Sequence, residues 1–174
     1  MSSHADVRYP VSLVLSRQWQ QSGQWQYPKW EVVVLLPQHT TPNADTPDVR
    51  HIHTGEDGEH YLWSGLWLEF FRDGLQGYYQ NITGMQPSLF VLCHDDDAKT
   101  GLAPTTISAN HADAEAHMES DGIVLTTPLV LPFSTWLAEY ILDKQLILDQ
   151  QLEHPLHRSE PPGSSGRRLA GSGQ

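Results

Sequence analysis

The stretch at residues 61–93, YLWSGLWLEFFRDGLQGYYQNITGMQPSLFVLC, decides the fold. Leu66, Leu68 and Phe70 alternate with Trp67, Glu69 and Phe71. That is period two, the signature of a strand with two distinct faces. Asp73-Gly74 follows, a dipeptide suited to a two-residue type I′ turn, because Gly tolerates positive φ and Asp tolerates it better than most residues. A hairpin turned there sets Phe70 opposite Gly77 and Leu68 opposite Tyr79, with the glycine leaving room for a ring. Gly84 and Pro87 bracket the next turn, and residues 88–93 form a third apolar run. This meander is apolar on both sides, so Trp63, Trp67, Phe71 and Tyr78 are expected beneath a second layer of this protein, the favoured reading, or beneath a partner.

Working outward toward the N-terminus, residues 9–17, YPVSLVLSR, put Val11, Leu13 and Leu15 on one face of a strand. Residues 18–29, QWQQSGQWQYPK, read as a polar and aromatic loop. Residues 30–37, WEVVVLLP, are a β-branched run closed by proline and read as a buried strand. Residues 49–53 and 59–63 read as short strands around the turn Gly55-Glu56-Asp57-Gly58. Residues 1–8 read as a flexible leader.

Toward the C-terminus, HDDDAKTGLAP after Cys93 reads as a solvated acidic loop. Residues 105–110 are a strand candidate and 111–120 a short helix. Residues 132–152 carry the strongest helical pattern. Phe133, Trp136, Leu137, Tyr140, Ile141 and Leu148 form its stripe, behind a proline suited to the first turn. Leu142, Leu146 and Ile147 widen that apolar face, which points either to a helix sandwiched within its own protein or to a partner protein or second copy docking on it. Residues 154–174 have the Pro/Gly/Ser composition of a disordered tail. The expected fold is α+β and mainly β. It is an antiparallel meander or open-barrel-like sheet of about seven strands, with a short helix and a long C-terminal helix packed on it. The folded part is one domain, residues 9–153.

The chain has 174 residues, a length that suits a single domain with a real core. Its formal charge is −11, and residues 154–174 hold three arginines against one glutamate, so the remainder is more acidic still. An acidic body lacks the basic footprint that nucleic acid or an anionic membrane needs, but suits a basic protein partner. No apolar run is long enough to span a bilayer, and the first ten residues lack a signal peptide's apolar core. The expected compartment is the cytoplasm. Cys93 is the single cysteine, which excludes an internal disulfide; it reads as a small core residue.

Candidate chemistry is sparse. His51 and His53 alternate on a strand with His60 in the facing one, an arrangement that would offer three imidazoles to a divalent metal. His111, Glu115 and His117 form a second set, and His94 with Asp95, Asp96 and Asp97 a third. None has the His-Glu-x-x-His spacing of a zinc protease, and surface histidines in polar segments are the plain alternative. There is no nucleophile elbow and no phosphate-cradling glycine loop. No catalytic or cofactor-binding residue is therefore assigned, and the metal set His51, His53 and His60 stays as the one cofactor alternative. The partner-binding candidates are the loop tryptophans Trp19 and Trp25 together with Leu142 and Leu146.

The block WSGLWLEFFRDGLQGYYQNI…PSLFVL resembles the core of the DUF3305 family, small proteobacterial proteins of unknown function. Trp63, Gly65, Leu66, Leu68, Arg72, Gly77, Tyr78, Tyr79, Asn81, Pro87, Phe90 and Val91 carry the likeness. Gln76 departs from it, where the family has Glu. Pro10, Val11, Arg17, Trp25 and Trp30 extend the likeness to the N-terminal strands. Asp121, Gly122, Trp136, Leu137, Tyr140 and Ile141 extend it to the C-terminal helix, after a longer link at TTPLV. The resemblance covers residues 8–145. It implies a genomic association with molybdenum or tungsten formate dehydrogenases. With no catalytic constellation in view, the function it suggests is a non-catalytic accessory or assembly protein. Its partner would be a formate dehydrogenase subunit or maturation factor, with a homodimer through the C-terminal helix as an option. Two alternatives stay open: a small metal-dependent enzyme built on the histidines, and a sensor with a pocket lined by Trp63, Trp67 and Tyr78.

Overall fold

A computed structural model describes residues 4–42, 46–97 and 100–153. Seven strands and three helices follow in the order β1 (Val7–Ser22), β2 (Trp25–Pro37), β3 (Asp48–Gly55), β4 (Gly58–Phe70), α1 (Leu75–Ile82), β5 (Ser88–Asp96), β6 (Gly101–Ser108), α2 (His111–Glu119), β7 (Ile123–Pro128) and α3 (Phe133–Glu153). The strands make one sheet in the order β2-β1-β4-β6-β5-β7, with β3 paired to the first half of β4. The end strands β2 and β7 lie close to each other, so the sheet curls into a nearly closed barrel.

The protein is mainly β with helices packed on the sheet, as the periodicities imply. The sheet is mixed rather than purely antiparallel, because β4 and β6 run parallel and meet at Leu68 and Ile107. The reason lies at the expected Asp73-Gly74 hairpin, which does not form. A 3-10 turn at Arg72–Gly74 leads straight into α1. Leu75, Tyr78 and Ile82 are spaced to share one face of a helix. That face packs inward: Tyr78 is almost wholly buried and its ring lies 5.5 Å from Phe70 and 5.9 Å from Tyr140. The Tyr78 hydroxyl accepts a 2.8 Å hydrogen bond from the Phe71 N–H, which fixes the end of β4 against the helix. With a helix in place of the second hairpin strand, β4 takes β6 as its neighbour.

The barrel interior is built on alternation. Val11, Leu13 and Leu15 of β1 and Leu66, Leu68 and Phe70 of β4 point into one interior, all fully buried. Fully burying each such side chain contributes about 1.5–3 kcal/mol. Trp63 also points inward, although its position is of odd parity relative to Leu66. Gly65, at φ +80°, absorbs the extra residue, and the β1–β4 register shifts opposite it between Val11 and Leu13. A side chain there would be strained, so glycine is what lets both halves of β4 turn their apolar faces into one core. Phe133, Leu137, Tyr140 and Ile141 of α3 close the end of the barrel where β1 begins. Trp136 stacks on Tyr9, centroids 4.3 Å apart.

Other differences concern strand length. The segment at 18–29 is the two arms of a β1–β2 hairpin, not a loop. β2 is not a buried strand, since Val33, Val34 and Leu36 are exposed. β5 runs on through His94 to Asp96, into the expected acidic loop, and Thr126–Pro128 of the expected link lies in β7. The expected tail at 154–174 lies outside the described residues.

Candidate interaction site

The β1–β2 hairpin outruns the barrel and carries three exposed aromatics. Trp25 is 79 % exposed, Trp19 57 % and Tyr27 46 %. Register places Trp19 beside Pro28 and Trp25 beside Ser22. Positions 19 and 22 have opposite parity, so the two tryptophans stand on opposite faces of the ribbon. Tyr27 shares the Trp25 face and its hydroxyl donates to Gln20 Oε1 at 3.0 Å. Solvent meets both faces here, so the hairpin end projects beyond the barrel rather than forming part of the core.

Arg17 fixes the base of this hairpin. Its Nη1 donates to the Thr100 carbonyl at 2.6 Å, and its Nη2 donates to Glu59 Oε2 and to the Tyr61 hydroxyl at 3.1 Å. Tyr61 in turn donates to the same Glu59 oxygen at 3.0 Å. The rings of Trp19, Trp30 and Tyr61 stand 5.4, 5.6 and 5.5 Å from the guanidinium carbon. The planar, permanently charged guanidinium suits this role, because it donates in several directions in one plane and packs against rings. The Arg17 hydrogen bond holds the Glu59 carboxyl below its ordinary range, against a smaller opposing effect of burial. Burial and the Glu59 bond push the Tyr61 hydroxyl up. Arg17, Glu59 and Tyr61 therefore tie β1 to β4, while Thr100 ties both to the β5–β6 turn. The sequence held one signal for this knot: Arg17-x-Trp19 and Glu59-x-Tyr61 both have strand spacing.

The histidine set does not converge. A bulge separates His51 from His53, so His51 pairs with Tyr61 and His53 with His60. Tyr61 and His60 are adjacent residues on opposite faces, which puts His51 and His53 on opposite faces too. The expectation of a shared face fails at that bulge. His51 Nε2 lies 2.7 Å from Thr54 Oγ1, while the His53 and His60 rings are 5.6 Å apart. His111 pairs with Glu115 at 3.1 Å, and His117 Nε2 donates to the Cys93 carbonyl at 2.7 Å. Among the described residues no group of three or more His, Cys, Asp or Glu side chains is placed to hold a metal ion. Cys93 is fully buried, and burial pushes its thiol up to about 12.

The proposed sensor pocket also falls apart. Trp63 lies inside the barrel, whereas Trp67, between inward Leu66 and Leu68, faces out under Arg8 at 3.9 Å, and Tyr78 sits on α1. The α3 candidates are on a separate surface: Leu142 is 62 % exposed, and the Leu146 side chain lies outside the described set. Tyr9, stacked on α3, and Trp19 are ten strand residues apart, roughly 33 Å. The two candidate partner surfaces are thus at opposite ends of the molecule.

Most of the remaining motif residues hold elements together. Asn81 bridges α1 to β5 and β6: its Nδ2 donates to the carbonyls of Ser88 and Ala109 at 2.7 and 2.8 Å, and its Oδ1 accepts from the Ser88 N–H at 3.0 Å. A Cβ on Gly77 would lie 2.2 Å from Asn110 Oδ1, so its bare backbone lets α1 approach the cap of α2. Gly122 gives the His117 ring the same kind of room, after Asp121 at φ 63°. Trp30 lines the Arg17 knot, and Arg72 reaches Asp6 at 3.7 Å. Tyr79 is exposed, and nothing in the packing explains it.

The family described as "Protein of unknown function (DUF3305)" matches residues 10–147. The chain belongs to the DUF3305 family. No curated protein and no solved structure matches it. In this DUF3305 protein the matched span runs from the start of the β1 core stripe into the second half of α3, and so takes in both the hairpin with its Arg17 knot and the α1 docking residues.

Proposed function

We propose that this DUF3305 protein is a non-catalytic accessory protein that works in the cytoplasm by docking on another protein through the end of the β1–β2 hairpin. The observation that carries this reading is the exposure of Trp19, Trp25 and Tyr27 on a hairpin whose base is pinned by Arg17. Large aromatics are the residues that most often dominate binding energy, and a rigid mount lowers the entropy cost of using them. An exposed tryptophan on both faces fits a cleft in a partner better than a flat surface. The partner we propose is a formate dehydrogenase subunit or one of its maturation factors, on the strength of the genomic association that the family resemblance implies. That part of the reading rests on association, not on the geometry of the site. No helix among the described residues is long and apolar enough to cross a membrane.

Affinity capture from formate-oxidising cells, with the protein expressed at its native level, tests the partner. Recovery of a formate dehydrogenase subunit or maturation factor supports the reading. Recovery of the protein alone contradicts it.

A further inference from the structure

A second surface has the shape and chemistry of a binding site. A cleft of about 960 Å3 opens between α1 and α2 and reaches Thr126 of β7. Phe90, almost wholly buried, gives it an apolar base, with the His111 ring edge-on at 5.5 Å. Asp73, Gln76 and Gln80 line one wall at helical spacing. The side chains of Gln76 and Gln80 make no hydrogen bond among the described residues, and Asp73 makes no ion pair there. Glu115 stands on the other wall, paired with His111. Met85, fully exposed, also lines the cleft.

Two features define what the cleft takes. The first is charge. Carboxylates stand on both walls, no lysine or arginine among the described residues lines it, and the chain as a whole carries −11. The second is spacing. Gln76 and Gln80 are one helical turn apart, a rise of about 6 Å. An extended chain repeats its peptide orientation every two residues, about 6.6–6.8 Å. Each glutamine amide offers a donor and an acceptor, so the two are set to meet alternate peptide units of one extended segment. The cleft is open to solvent along its length, which suits a passing chain rather than an enclosed small molecule.

We infer that the α1–α2 cleft binds an extended, basic segment of a partner protein, with Gln76 and Gln80 holding its backbone and Asp73 and Glu115 its cationic side chains. This rests on the reading of the protein as a docking module, but on a surface separate from the hairpin.

The test is a nuclear magnetic resonance titration of the full chain with an acetylated, amidated octapeptide of alternating lysine and alanine. Saturable shifts confined to the amides around Gln76, Gln80, His111 and Glu115 are expected. The double variant Q76K/Q80K should weaken binding about tenfold, whereas E56Q/D57N, with the same change in charge on the β3–β4 turn, should change it less than about twofold. Both pairs are solvent-exposed, and a thermal melt of each verifies folding. Equal weakening by the two variants would reduce the interaction to diffuse attraction and overturn the inference, as would shifts spread over the acidic surface. Spermidine binding the cleft as tightly as the peptide would assign it to small polyamines and overturn the peptide reading. None of these outcomes bears on the hairpin, which is tested separately by capture from extract, and a Trp25→Ala variant should bind this peptide unchanged.

Discussion

Arg17 shows how a single residue couples the fold to the candidate site. Its guanidinium is mostly buried and meets Glu59, Tyr61 and the Thr100 carbonyl. Removing the carboxylate leaves that charge without its partner. Glu59→Gln should therefore lower stability by about 1–2 kcal/mol, less than the loss for a fully buried pair because Glu59 is partly solvated. Urea unfolding of both forms measures this. The pH dependence has a definite sign. Glu59 ionises more readily in the folded protein, so its contribution is complete above the ordinary carboxylate value of 4.5 and is lost as pH falls through the lower folded value. The gap between wild type and Glu59→Gln should close in that acidic window and stay constant above it. Gly77 gives a second residue-scale prediction. Alanine favours helix by about 1 kcal/mol, yet its Cβ would overlap the Asn110 side chain. Gly77→Ala should lower the melting temperature; a rise would mean that Asn110 yields without cost. None of these contacts was read from the sequence, because which strands become neighbours is a tertiary fact.

Elements were legible where burial is one-sided. β1 and the second half of β4 alternate cleanly because one face meets the core, and α3 shows its stripe because it caps the barrel. The hairpin end was not legible. QWQQSGQWQYPK has solvent on both faces, so nothing selects an apolar alternation there. α1 was misread because LQGYYQNI is only eight residues long and Asp-Gly before it imitates a hairpin turn. The His51–His53 bulge leaves no mark in composition, and it alone undoes the expected three-histidine face. At this scale the attachment of α3 is testable. Asp6 accepts from Lys144 Nζ at 3.0 Å and the Tyr140 hydroxyl at 3.2 Å, which ties the start of β1 to the helix. The Lys144 bond keeps the Asp6 carboxyl low, and burial raises the Tyr140 hydroxyl. Asp6→Asn should cost about 0.5–1 kcal/mol and speed amide exchange in α3 more than in β4. Equal acceleration in both would mean that the contact does not act locally.

At the scale of the molecule, β4 joins everything. It pairs with β1 along its length, with β3 at its start and with β6 near its end. That crossing made the class readable and the topology unreadable, since the parallel meeting at Leu68 and Ile107 depends on a helix standing where a strand was expected. The same architecture sets the hairpin tip and α3 at opposite ends of the barrel. A single partner contact is then expected to be sensitive to one end and indifferent to the other. Leu142→Glu changes an exposed α3 residue and should leave the fold intact; should this variant lose a dimer present in the wild type, seen by light scattering, α3 would be a self-association face in addition.

The central claim is that the hairpin end is the docking surface. The most direct measurement is quantitative capture from native extract by wild type, Trp19→Ala, Trp25→Ala and Leu142→Glu, each verified as folded. The account predicts that the wild type and Leu142→Glu retain the same formate dehydrogenase subunit or maturation factor, while each tryptophan variant loses most of it. Undiminished capture by both tryptophan variants would contradict the account.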